Sequence, residues 1–335
     1  FYASAGDGEN RDPKRLRQSL QVFDTLRKEN PKSEFLDRAY FYSGEAAYGL
    51  GEPLKAIEYY DRLLSMPNAK SSPLRCDALY ARGVAQEDAK KFNAAIGSYR
   101  QLLASCKRAE LVSDVQLRIG DLMIMQKEID KAIDSFESAF KSSDSPEDRS
   151  YALYRQAFAL VQADRAKEAA AKYEQLVRDF PASPYAGSAM LASAQSSYRA
   201  GDLEGAATRF GQVLKQDNRE AATEAAHWLA RIQIKKGAAD DAVKVVREQI
   251  AKGLEGPFAM DLRLDLAEAL SMRPDGVEES LEIFKKAYRE SPQSPLAPRA
   301  LYNAAFSALQ LNRPEAAISL AAEFIKKFPQ DTLLP

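Results

Sequence analysis

The chain has 335 residues, with 47 Lys and Arg against 48 Asp and Glu, two cysteines, one histidine and one tryptophan. A formal charge of −1 lacks the basic excess with which nucleic-acid binders neutralise phosphates, and one His with two Cys is too few for a four-ligand zinc site of the usual kind. At 45% hydrophobic and 28% charged residues the composition is that of a folded chain, and no apolar run approaches the ~20 residues that cross a bilayer.

The first residue is Phe1, with no charged-then-apolar leader after it, so either a signal was removed or the chain is an excised fragment. The repeat phase favours the fragment. Pro73, Pro184 and Pro295 are spaced by 111 residues, and so are Pro146 and Pro257, which is three times 37. A small residue followed four positions later by a large one recurs along the whole chain. It reads Ser19/Phe23, Ala56/Tyr60, Ala95/Tyr99, Ala132/Phe136, Ala169/Tyr173, Ala206/Phe210, Ala242/Val246, Ser280/Phe284 and Ala317/Ala321. A fixed period of this kind is the mark of a repeat architecture.

In chain order, residues 1–36 hold a cut unit whose second helix covers about 14–30. About eight tandem helix pairs follow over 37–335, beginning near 37, 76, 113, 150, 187, 223, 260 and 298, and 329–335 opens a further junction. Ser before Pro, as at Ser72, Ser145, Ser183 and Ser294, reads as an N-cap followed by the first helical residue. Hairpin turns are predicted near Gly51, Lys90, Lys127, Asp164, Gly201, Gly237, Asp275 and Asn312; six of these eight are Gly, Asp or Asn, which tolerate the left-handed conformation at a helix end. The small and large residues of each second helix lie one turn apart on one face, so helices approach at the small residue and the large one fills the gap beside it. No run shows the alternation of a half-buried strand. The fold expected is all-α, an α-solenoid of antiparallel helix pairs in which each pair needs neighbours to bury both faces.

The units resemble the tetratricopeptide repeat. Gly44, Ala56, Tyr60 and Leu63 match its small–small–aromatic pattern, as do Gly83, Ala95, Tyr99 and Leu102, then Gly120, Ala132, Phe136 and Ala139. Pro31, Pro181, Pro292 and Pro329 match its closing proline, and the match weakens near 223–290, where Val246 replaces the aromatic and Ser280 the alanine. The resemblance implies a right-handed superhelix. The 37-residue period and the junctions Pro31-Lys-Ser33, Pro181-Ala-Ser183 and Pro292-Gln-Ser294 resemble a bacterial envelope subgroup. That subgroup includes the Tol-Pal-associated periplasmic protein and the β-barrel-assembly lipoprotein, so the resemblance implies a periplasmic or outer-membrane location.

No nucleophile motif, Gly-rich phosphate loop or His-x-x-x-His spacing is present, so neither an enzyme nor a cofactor is indicated. Trp228 reads as packing, and Asp240-Asp241 and Glu278-Glu279 as solvated faces at helix starts. In the family the first helix of each unit lines a concave groove. Carried onto this chain, those positions give Phe41, Tyr48, Tyr80, Tyr154, Phe158, Tyr198, His227, Arg231, Tyr302 and Phe306 as a partner-binding groove, with repeat packing as the alternative for the aromatics. Aromatic anchors with an occasional Arg compose protein-binding hot spots. Lys is missing from the positions with which cochaperones clamp a C-terminal carboxylate. The expected partners are therefore protein or peptide segments, not nucleic acid.

Three functions compete: a non-enzymatic interaction scaffold, the helical accessory domain of a larger envelope enzyme such as a transglycosylase, and a cytoplasmic regulatory array. Cys76 and Cys106 bear on the compartment. They lie ~21 and ~24 Å along antiparallel helices from the turn at Lys90, hence at nearly one level. A disulfide between them and a pair of free thiols are both open, since most facing helix positions are wider than the ~4.4–6.8 Å a bridge requires.

Overall fold

The computed structural model describes residues 12–106 and 109–334, which contain seventeen α-helices, one short 3-10 turn at Ala69–Ser71 and no strand. The chain divides into two compact units, Phe1–Ala159 and Leu160–Pro335. The first holds α1 (Pro13–Glu29), α2 (Leu36–Gly49), α3 (Pro53–Leu64), α4 (Arg75–Asp88), α5 (Phe92–Ser105), α6 (Ala109–Met125), α7 (Ile129–Ser142) and most of α8 (Pro146–Gln162). The second holds α9 (Ala166–Asp179), α10 (Ala186–Arg199), α11 (Leu203–Val213), α12 (Arg219–Lys235), α13 (Ala239–Lys252), α14 (Ala259–Ser271), α15 (Val277–Glu290), α16 (Ala297–Gln310) and α17 (Pro314–Lys327). Even-numbered helices are first in their pairs and odd-numbered ones second, and within each unit successive helices pack on one another, α1 through α7 in the first and α9 through α17 in the second, as in a tetratricopeptide-like solenoid.

The small positions of the second helices, from Ser19 through Ala317, are all buried. What lies opposite them differs along the chain. In the first unit a first-helix glycine meets the aromatic ring itself. A Cβ added at Gly44, Gly83 or Gly120 would stand 2.3, 2.3 and 2.5 Å from Cε1 of Tyr60, Tyr99 and Phe136. Only a residue without a side chain permits that approach. In the second unit alanines such as Ala194, Ala230 and Ala267 fill the first-helix side of the core.

Seven of the eight predicted turn positions take a left-handed φ, from 56° at Asn312 to 80° at Gly201. Each sits at the end of a first helix whose last turn is closed by a six-to-one bond, such as Glu52 N–H to Ala47 O at 3.0 Å and Lys91 N–H to Gln86 O at 2.7 Å. Asp275 is the exception. Pro274 has no N–H to make the preceding bond to Leu270 O, the counterpart of Leu50 N–H to Ala46 O, and the α14–α15 turn runs instead through Arg273 N–H to Leu270 O and Gly276 N–H to Arg273 O.

The Ser-Pro pairs are corrected in the same way. Only Ser145 caps a helix at the expected place, its Oγ accepting from Asp148 N–H at 3.3 Å. At Ser72, Ser183 and Ser294 the helix begins three residues later. There Pro occupies the second position of a tight turn, Ser O accepts from Arg75, Ala186 or Ala297 N–H, and Ser Oγ accepts from the N–H two residues on.

Cys76 and Cys106 form a disulfide with Cα atoms 5.9 Å apart. The approach is possible because α5 ends at Ser105 and Cys106 is extended (φ −116°, ψ 132°), so its Cα leaves the helix cylinder toward α4.

Candidate interaction face on the first helices

Side chains on one face of the first helices reach across to the next first helix, and these ties define the candidate site. In the first unit they are built on tyrosine hydroxyls. Tyr48 of α2 donates to Asp88 of α4 at 2.5 Å, and Tyr80 of α4 donates to Asp114 of α6 at 2.7 Å. Arg118, one turn beyond Asp114, contacts Asp114 at 3.1 Å and Glu87 at 3.4 Å, with its guanidinium over the Tyr80 ring. Tyr99 reaches Glu87 from α5, so Glu87, Tyr99, Arg118, Asp114 and Tyr80 form one network. Arg155 of α8 completes the series by holding Asp121 of α6 at 2.6 Å while its guanidinium covers the Phe158 ring.

Burial and the acceptor carboxylates keep these tyrosines neutral. The Tyr48 hydroxyl is pushed up to about 12, first by burial and then by its bond to Asp88. Tyr80 and Tyr99 shift the same way for the same two reasons, with Asp114 and Glu87 as acceptors. Burial works against the Arg118 cation, yet Asp114 and its neighbours hold its pKa above the usual arginine value. Burial raises the Asp121 carboxyl despite Arg155.

In the second unit the ties are charged and more deeply enclosed. Asp265 of α14, with no exposed surface, takes His227 Nδ1 of α12 at 2.5 Å. Arg231 of α12 and Arg299 of α16 stand 3.7 and 3.5 Å from its other oxygen and both bind Glu268, at 2.7 and 2.5 Å. Phe258 and Trp228 flank the imidazole at 5.2 and 4.9 Å, and Trp228 also packs on Tyr198 at 5.0 Å.

Of the ten residues expected in the groove, Tyr48, Phe158, Tyr302 and Phe306 are exposed. Phe41, Tyr80, Tyr154, Tyr198 and Arg231 are half-buried. His227 is 7% exposed and turned into the Asp265 network, so it offers little surface to a partner. The structure brings Tyr48 and Tyr80 into one series of ties in the first unit, and His227 and Arg231 into one network in the second. Tyr302 and Phe306 lie together at the outer side of α16. Asp88, Asp114, Arg118, Asp265 and Arg299 were not singled out from the sequence. Their partners stand 31 to 40 residues away, about one repeat, so pairing polar residues at the period would have found them. Among the described residues no group of three or more His, Cys, Asp or Glu side chains is placed to hold a metal ion, and no helix is long and apolar enough to cross a membrane.

Comparison with known proteins agrees with this architecture. A profile described as a tetratricopeptide repeat-like domain matches residues 141–294, and one described as a tetratricopeptide repeat matches 14–73, 44–110 and 276–332. No curated protein matches significantly. Among solved structures, Naa15/Naa10 bound to HypK-THB is 17% identical with a TM-score of 0.57, over 94% of this chain and 50% of that one. The C-terminal part of a repeat-containing protein from Cytophaga hutchinsonii is 14% identical with a TM-score of 0.50, over 86% and 95%. A repeat protein from Parabacteroides merdae is 15% identical with a TM-score of 0.45, over 84% and 98%. At these identities the likeness to the first two is one of fold alone. The two profiles match segments of both units, together most of the chain, and with the glycine-on-ring contacts and left-handed turns they establish that the chain belongs to the tetratricopeptide repeat family.

Proposed function

We propose that the chain is a non-enzymatic scaffold that docks protein or peptide segments on the face of its first helices. The observation that carries this reading is the pre-set aromatic face of the first unit. Tyr48 and Tyr80 are each fixed at the hydroxyl by a carboxylate of the next first helix, and Arg155 stacks on Phe158. Rings already held in place lose little freedom when a partner packs on them, which is how aromatic anchors earn a large share of binding energy. Within the first unit the proposed face is drawn most strongly around Tyr48, Tyr80 and Phe158, with Phe41 and Tyr154 as contributors, and the second unit taken by itself offers Tyr198, Arg231, Tyr302 and Phe306 as proposed contacts.

The same reading places the protein in a bacterial cell envelope. The Cys76–Cys106 bridge supports an oxidising compartment, where such bonds persist, and the junction motifs point the same way. Alkylation of intact cells before lysis tests the compartment: both cysteines should resist modification until a reductant is added, and two freely reactive thiols would overturn it. For the docking face, affinity capture with the intact chain is compared with a Tyr80→Ala/Tyr154→Ala variant of unchanged circular dichroism. The scaffold reading expects a partner retained by the first and at least tenfold depleted with the second; equal recovery on both removes the face from the account.

A further inference from the structure

A row of rings crosses three successive first helices in the interior of the second unit. Tyr198 of α10, Trp228 of α12 and Phe258, the residue that opens α14, follow one another at 5.0 and 6.3 Å between centroids. They are tilted by 48° and 56°, so none lies flat on its neighbour, and all three are half-buried. Glu224, one turn before Trp228, is half-buried as well. Its Oε1 accepts from Trp228 Nε1–H at 3.2 Å and from Gln195 Nε2 of α10 at 2.6 Å. Both donors are neutral, so the carboxylate keeps its whole charge, and among the described residues nothing donates to Oε2.

Rings on first helices of the first unit carry a cation of their own: the Arg118 guanidinium lies 5.5 Å over Tyr80 and that of Arg155 5.3 Å over Phe158. The row in the second unit has none. Among the described residues no Lys or Arg lies over Tyr198, Trp228 or Phe258, and none pairs with Glu224. Arg231 and Arg299 are committed to Asp265 and Glu268. Asp261, one turn beyond Phe258, likewise stands in no ion pair, and burial raises its carboxyl although His227 opposes the shift. An unfilled carboxylate oxygen at the edge of exposed ring surface suits a cation, which the ring faces attract and the carboxylate pairs. The Trp228 N–H, by donating to an anion, adds electron density to the indole and strengthens that attraction.

We propose that this row binds an arginine side chain of a partner protein, with the guanidinium against Trp228 and an N–H donated to Glu224 Oε2. A guanidinium fits better than an ammonium because its plane stacks on a ring while its edge donates to a carboxylate. The row repeats with a partner what Arg118 and Arg155 do within the first unit, where one guanidinium meets both a ring and a carboxylate. First helices lie on both sides of α12, so the row is not an end face that a further repeat would cover. The inference deepens the scaffold reading by naming what the second unit takes, and it rests on that reading only for the partner being a protein.

Trp228 is the only tryptophan of the chain, so its emission reports on this row alone. The probe is an acetylated, amidated tetra-arginine peptide titrated into the full chain, followed by tryptophan emission and by calorimetry. A saturable change in emission is expected, with a tetra-citrulline peptide, uncharged but of the same shape, at least tenfold weaker. Glu224→Gln keeps the acceptor for Trp228 and Gln195 and should weaken binding at least tenfold with unchanged melting. Tyr80→Ala/Tyr154→Ala should bind the peptide as the unaltered chain does, so a failure of the first-unit face leaves this test standing. Absence of saturable binding, or equal binding of the citrulline peptide, overturns the site. Heat of binding that survives both Glu224→Gln and Trp228→Leu unchanged also overturns it, because the peptide would then sit elsewhere.

Discussion

The two units use one repeat to make two kinds of first-helix face. In the first, successive first helices are joined by tyrosine hydroxyls on carboxylates, leaving aromatic surface at the edge of solvent. In the second, α12, α14 and α16 are joined through Asp265, a carboxylate with no exposure, held by His227 and flanked by Arg231 and Arg299. The cores differ in parallel, with glycine under an aromatic ring in the first unit and alanine on the first-helix side in the second. A ring seated on a glycine fixes the pair geometry by close contact, so the face above it is free to carry polar ties at its edge. Where the repeat pattern is weakest, at Val246 and Ser280, the buried charge network takes over the joining of neighbours. The docking face proposed above is drawn on the first unit for this reason, with the Asp265 network joining helices in the second.

The largest effect should come from that network. Asp265→Ala would leave His227, Arg231 and Arg299 facing a hole, and breaking a buried ionic arrangement costs ~3–5 kcal/mol. Asp114→Ala in the first unit removes a partly exposed acceptor and should cost no more than ~1 kcal/mol. Thermal melts of the two variants sharpen the comparison; equal losses would erase it.

Next come the packing variants. Gly83→Ala drives a methyl into the Tyr99 ring, and Ala132→Leu or Ala206→Leu overfills a fully buried position, each at a cost of ~1–3 kcal/mol. Ala194→Gly in the second unit should lose only ~1 kcal/mol, chiefly in helix propensity. Denaturant midpoints measured side by side check the order, and a harmless Gly83→Ala would show that the ring does not rest on that glycine.

The smallest effect is alkaline. A tyrosine whose folded pKa lies above its unfolded value near ~10 contributes stability that is complete below that pH and drains as pH rises through the folded value. For Tyr48 the folded value is about 12, and Tyr80 and Tyr99 are raised in the same direction. In the second unit Tyr288 is raised to about 12, by burial and by its bond to Glu323. Replacing Tyr48, Tyr80 and Tyr99 together by Phe should flatten the fall of melting temperature above pH ~10 more than Tyr288→Phe does. An unchanged slope in the triple variant would mean that these hydroxyls are not held neutral by the fold.

Much of this architecture was legible in the residues. The 37-residue period placed the turns, and seven of the eight carry the left-handed residue expected of them, Lys90 and Lys127 included. The small–large pairs located the buried alanines, because one helical turn is a local relation that spacing reveals. Two local readings failed for reasons of backbone chemistry: Pro274 lacks the N–H that the Asp275 turn would require, and Ser72, Ser183 and Ser294 close a tight turn upstream of the helix. The polar ties of the face were hidden because each joins residues about one repeat apart. His227 illustrates this: alone in the sequence it is a lone histidine, and only its neighbour 38 residues on, Asp265, decides that it points inward.

The most direct test of the docking face is photo-crosslinking in living cells, with a photoreactive phenylalanine placed in turn at Tyr80 and Tyr154 on first helices and at Glu58 and Asp134, exposed on second helices. The account predicts one discrete crosslinked partner from Tyr80 and Tyr154 and none from Glu58 or Asp134. The same adduct from all four positions, or an adduct from the second helices alone, would contradict it.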